Sequence, residues 1–151
     1  MTSMKPWLAG LGAALFCLAS AGTAADPQDD ATKKELKALE GVWGLTSATD
    51  SSGDVTKMYG RLKYTFSKGK WRRDGDNVGG SGAVSLGVLK DLKTMDLIYD
   101  GDKGKEEFLY ELKGDQLRLC FDDGMGKMAY PNDFKVDKDS FNVVLVFKRL
   151  K

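Results

Sequence analysis

The chain contains no histidine at all, and that single absence removes more chemistry than any residue present suggests. A Ser-His-Asp triad, a Cys-His pair and a His-ligated zinc or iron centre all need an imidazole. Cysteine is nearly as scarce. Only Cys17 and Cys120 occur, so a four-cysteine zinc site is excluded as well. Carboxylate acid–base chemistry, a lysine nucleophile and an oxygen-ligated cation are what remain. Long apolar runs are also missing: the strongest, Trp7 to Leu18, covers about 12 residues, short of the ~20 that a membrane-spanning helix needs.

What surrounds that run has the layout of a secretory signal. Lys5 supplies a positive start, and small residues follow from Ala19 to Ala25. Residues 1–25 are therefore expected to be a signal peptide, cleaved after Ala25 or after Ala21. Cys17 leaves with it, and the bulky Phe16 before that cysteine argues against lipid anchoring. One thiol, Cys120, then remains, with no internal disulfide. Without residues 1–25, which carry Lys5 and no acid, 22 basic and 22 acidic residues balance. That neutrality argues against nucleic acid and against electrostatic attachment to an anionic membrane. The expected location is secreted or periplasmic, with no stable membrane insertion after cleavage.

The length of 151 residues suits one domain. Residues 26–34 read as an acidic leader and helix start, and residues 35–151 as the folded domain. Asp30 is placed to cap a short helix from Ala31 to Glu40, with Leu36 and Leu39 on one face, and Gly41 ends it. Strand-like segments then follow at short spacing: Val42–Thr49, Leu62–Phe66, Lys70–Arg73, Ala83–Leu89, Met95–Tyr99, Glu106–Leu112, Leu117–Phe121 and Phe141–Leu150. Several alternate strictly, as in Leu62-Lys63-Tyr64-Thr65-Phe66 and Leu117-Arg118-Leu119-Cys120-Phe121. Ser67-Lys68-Gly69, Asp100-Gly101-Asp102 and Gly114-Asp115 are turns between them. Eight such strands make a small antiparallel barrel with a short N-terminal helix the expected, mainly β, fold. Its inward set, led by Trp43, Tyr64, Phe66, Trp71, Leu97, Phe108, Tyr110, Leu119 and Phe147, fills so much space that only a shallow mouth is expected to stay open. Val143 to Phe147 is apolar on both faces, so its outer side needs cover.

From about Leu36 to Arg149 the chain resembles an uncharacterised lipocalin-like domain family abundant in planctomycete bacteria. The resemblance is carried by Leu39-Glu40-Gly41-Val42-Trp43, by Leu62 to Phe66, by Tyr110 to Phe121, by Pro131-Asn132-Asp133-Phe134 and by Val144 to Arg149. It implies a lipocalin-like barrel, commonly exported, with no established activity to carry over. One departure is Tyr130, where the family more often has a basic residue. Gly41-Val42-Trp43 also resembles the opening signature of lipocalins, whose tryptophan packs at the closed end against an arginine near the last strand. Arg149 matches that position, so Trp43 and Arg149 are expected to close the barrel base.

Candidate sites follow from phase and placement. Trp71 and Arg73 share a face; if Trp71 points inward, Arg73 enters the barrel near its rim and needs an acidic partner or an anionic ligand. Met125, Met128, Tyr130 and Phe134 lie in the long segment Asp122–Ser140, expected to pack as a plug or lid over one end. Trp71, Arg73, Met125, Met128, Tyr130 and Phe134 are thus the expected ligand contacts. The Asp74–Asn77, Asp100–Lys105 and Asp122–Gly124 segments read as solvated turns, not metal loops, because position six of the nearest calcium-like match is Lys105 instead of glycine. Gly79-Gly80-Ser81-Gly82 lacks the Lys-Ser/Thr of a phosphate loop and reads as a turn or bent strand start. The expected function is non-catalytic binding of a small apolar or amphipathic molecule, with no cofactor. The alternative is an envelope scaffold whose outer wall, around Val144 and Val146, meets another protein.

Overall fold

A computed structural model describes residues 27–76, 78–124 and 129–151. The proposed signal segment, Asp26, Asn77, Met125 and Met128 lie outside the described residues. The elements run α1 (Pro27–Leu39), β1 (Gly41–Asp50), β2 (Gly53–Asp54), α2 (Thr56–Tyr59), β3 (Lys63–Ser67), β4 (Lys70–Asp74), β5 (Gly80–Leu89), β6 (Leu92–Tyr99), β7 (Lys105–Lys113), β8 (Gln116–Asp122) and β9 (Asn142–Leu150). From β3 onward each strand pairs antiparallel with the next. β1 pairs with β3 on one side and with β9 on the other, so eight strands close into a barrel and the two-residue β2 hangs on β1. Closure removes the free edges that an open sheet would expose. The β3–β4 and β5–β6 hairpins turn through Lys68–Gly69 and Lys90–Asp91, all four residues having positive φ. That backbone twist matches the twist of the strands it joins.

Period-two alternation accounts for the interior. Trp43, Tyr64, Phe66, Trp71, Leu97, Phe108, Tyr110, Leu117, Leu119, Leu145 and Phe147 form one buried cluster, with Leu45, Leu112 and Phe121 packed against it. Met95 and Val143, each in phase with an expected inward residue, belong to the cluster too. Ala48 joins it for a different reason. The β1–β9 register shifts between Leu45 and Ser47, and the intervening Thr46 hydrogen-bonds the Val146 carbonyl at 2.9 Å. One extra residue inverts the phase of everything after it.

Of the Gly79–Gly82 run, Gly80, Ser81 and Gly82 open strand β5. A Cβ on Gly82 would sit 1.7 Å from the Ile98 carbonyl oxygen, and that oxygen accepts the Trp71 indole N–H at 3.2 Å. The missing side chain therefore lets β6 turn a carbonyl toward a buried donor that needs one.

At one end α1 plugs the barrel. The helix begins at Pro27, so the segment expected to be a leader is already helical from there, and Asp30 lies in the first turn, not at the cap. Acidic Asp29 and Asp30 suit that turn, where unpaired N–H groups carry partial positive charge. Leu39 is buried in the barrel core, and its carbonyl accepts the Trp43 indole N–H at 2.8 Å. The Arg149 guanidinium lies 4.2 Å from the Trp43 ring centroid and donates to the carbonyls of Glu40 and, at 2.8 Å, Ala38. Trp43 and Arg149 thus meet at this plugged end. Gly41 fits between them because its φ is +129° and a Cβ there would meet Arg149 Nη1 at 2.8 Å.

The long β8–β9 connection departs from expectation. Tyr130, Phe134 and Val136 pack on the outside of the wall, against Leu109, Cys120, Val144 and Val146. The reason lies in β9, whose outward valines leave apolar surface that only a neighbouring segment can cover. This connection covers it, and α1 does not. Phe134 also carries the Arg118 guanidinium at 4.9 Å over its ring.

Candidate functional site: the barrel mouth

At the end opposite α1 the barrel opens into a cavity of about 290 Å³. Its walls and floor are Leu62, Tyr64, Phe108, Phe121 and Leu145, all reaching up from the core. Tyr59, Val78 and Ala129 stand around it, and Arg73, Glu106, Glu107, Asp122 and Asp123 supply its polar groups. They come from α2, from the ends of β4, β7 and β8 and from the adjoining loops, so the rigid wall fixes their spacing. The lower barrel remains filled by side chains, so the opening is a mouth and not a channel.

Arg73 enters that mouth from β4. Its Nη1 donates to both oxygens of Glu106 at 3.0 Å, and its Nη2 donates to the Tyr99 hydroxyl at 2.6 Å. Tyr99 in turn donates to Glu106, and the Tyr64 hydroxyl lies 3.4 Å from Arg73 Nη1. The acidic partner that an inward arginine requires is therefore present, on β7. Burial alone would lower the Arg73 pKa; Tyr64 and Glu106 beside it more than reverse that, and it is raised. Glu106 was legible in principle, since it sits in phase with Phe108 and Tyr110, but its apolar neighbours dominate that strand's pattern.

The other expected contacts separate. Trp71 is buried in the core below, edge-on to Tyr99 with centroids 5.0 Å apart, and does not line the cavity. Tyr130 and Phe134, expected as ligand contacts, belong to the outer wall instead; the demand for cover over Val144 outweighs any lid role. Tyr130 there donates to Asp96, which also accepts Lys105 Nζ at 2.8 Å. Met125 and Met128 lie outside the described residues. Tyr59, at the end of α2, had no signal in the sequence, and Asp122 and Asp123 read there only as a solvated turn, because at one-turn helices and strand ends no periodicity operates.

Five tyrosines share one electrostatic bias. Burial is the leading cause of a raised pKa at Tyr59, Tyr64, Tyr99, Tyr110 and Tyr130, and a nearby carboxylate adds to it at each; Tyr130 is pushed up to about 12. Their ordinary value is 10.0. A group raised on folding contributes stability that is complete below its unfolded pKa and is lost as pH rises through its folded pKa. Urea midpoints should therefore be flat with respect to these groups up to about pH 10 and fall above it. Tyrosinate absorbance should rise together with unfolding; a full tyrosine titration in the folded protein would contradict this.

Cys120 lies under the outer-wall connection, its thiol 3.5 Å from the Asp133 carbonyl oxygen. Burial, with Asp133 adding, pushes its pKa up to about 12, so thiolate is scarce at neutral pH. In a Cys17→Ser chain, thiol reagents should leave the folded protein unlabelled and label it fully in urea. Phe134→Ala should speed native labelling by roughly tenfold by loosening the cover. Equal rates in the two chains would mean the connection does not protect the thiol.

Among the described residues no group of three or more acids and cysteines is placed to hold a metal ion. Asp74 pairs with Arg72 at 2.8 Å and Asp76 with Arg61 at 3.4 Å. Among them, too, no helix is long and apolar enough to cross a membrane. The fold and site define the protein as a closed, eight-stranded up-and-down β-barrel with one end plugged and the other open. Comparison with protein-family models, with curated proteins and with solved structures finds no match to this chain.

Proposed function

We propose that this protein is an exported, lipocalin-like binder that holds a small apolar or amphipathic molecule at the barrel mouth without transforming it. The observation that carries this reading is the mouth cavity: concave, walled by Tyr64, Phe108, Phe121 and Leu145, with the polar groups of Arg73, Glu106, Glu107, Asp122 and Asp123 placed at its edge. That is the usual composition of small-molecule sites. Arg73 and Tyr99 engage both Glu106 oxygens, which holds that carboxylate in one orientation at the edge of the mouth. Export rests on the layout of residues 1–25, and the lipocalin-like assignment on the motif order together with the barrel. The envelope-scaffold alternative has less support, since its outer valines are covered by Tyr130, Phe134 and Val136.

The test is native mass spectrometry of protein recovered from its own host. A reproducible small-molecule adduct is expected. An empty monomer, whose tryptophan fluorescence also ignores apolar probes, would count decisively against the proposal. A reproducible protein partner without a small molecule would favour the scaffold.

A further inference from the structure

We propose that the molecule held at the mouth is an organic cation, an ammonium group on a small apolar body; this rests on the mouth-binding reading above and narrows it. Two independent features of the cavity lead there. The first is the balance of charge. Arg73 is the cavity's single cationic side chain among the described residues, and its charge is already committed to Glu106. Its Nε is fully buried, so an anion arriving from solvent does not reach that donor, and Nη1 and Nη2 already point to Glu106 and Tyr99. Glu107 is paired with Lys105 at 2.7 Å. Asp122 accepts the Gly124 backbone N–H at 2.7 Å, and neither it nor Asp123 meets a cationic side chain among the described residues. Asp123 also sits close enough to Tyr59 to disfavour the phenolate across the rim. Among the described residues the cavity therefore presents uncompensated negative charge at its edge, which attracts a cationic head group and repels a carboxylate or phosphate.

The second feature is aromatic. Rings of Tyr59, Tyr64, Phe108 and Phe121 line the same small volume, the last two in an edge-to-face pair with centroids 5.8 Å apart. Aromatic faces attract cations and tolerate alkyl groups, a combination suited to alkylated ammonium. Leu62 and Leu145 form the floor, so the apolar body is short.

Titration of the full isotope-labelled chain, followed by two-dimensional NMR, with hexyltrimethylammonium, hexan-1-ol and hexanoate tests this directly. The ammonium should bind about tenfold more tightly than hexanol, with hexanoate weakest, and should shift the amides of Tyr59, Phe121 and Asp123. Asp122→Asn with Asp123→Asn should bring the affinity for the ammonium down to that for hexanol. The single Asp123→Asn, at an exposed position, should lose about half of the preference on a logarithmic scale and serves if the double variant does not fold. Hexanol or hexanoate binding as tightly as the ammonium would overturn the cation assignment and leave the mouth-binding reading standing. No mouth shift with any of the three probes would overturn both.

Discussion

Trp43→Ala is expected to destabilise the protein by about 3–5 kcal/mol, the largest effect of any single substitution considered. The side chain is fully buried, so its removal loses the transfer free energy of an indole and leaves a cavity at the barrel base. Two further losses accompany it. The Leu39 carbonyl at the end of α1 loses its indole donor, and the Arg149 guanidinium loses the ring it lies over. The helix and the barrel wall should therefore loosen together: hydrogen exchange of α1 amides should accelerate alongside the fall in urea midpoint. Arg149→Met should cost less, roughly 1–3 kcal/mol, since it keeps some cover over the indole while releasing the two helix-end carbonyls. A Trp43→Ala protein within ~1 kcal/mol of the parent would mean that the base is not held by this residue.

Glu106→Leu is expected to cost about 2–4 kcal/mol, because it strands the Arg73 guanidinium in the mouth. The Arg73 side chain is only 15 % exposed and Glu106 28 % exposed, so water screens the pair less than it would a surface bridge. Replacing both, as Arg73→Met with Glu106→Leu, should return stability to within ~1 kcal/mol of the parent, since neither charge is then left alone. The two single effects should not sum to the double, and the coupling read from the four urea midpoints measures the pair. Additive singles would show that Arg73 finds another partner, Tyr64 or Tyr99, when Glu106 is absent.

Alternation in strands such as Leu62–Phe66 and Leu117–Phe121 was enough to assign inward and outward faces, because in a closed sheet each side chain has only two places to go. Turn residues at short spacing gave the strand count, and the pairing of Trp43 with Arg149 was implied by the resemblance of Gly41-Val42-Trp43 to the opening signature of lipocalins. Interactions between strands far apart in sequence were not legible in the same way. Arg73 announced the need for a partner, but the pattern of β4 contains nothing about β7; only curling the sheet into a barrel brings Glu106 across to it. Thr46 looks like any other residue of β1, and its bulge shows only in the register of β1 against β9. The apolar outer face of β9 showed that cover was required, without showing what supplies it. Chain geometry after Asp122 decided that Tyr130 and Phe134 lie on the wall and leave the mouth to Tyr59, Phe121, Asp122 and Asp123. Local periodicity settles which way a side chain faces, whereas the partner it meets depends on how the whole chain closes.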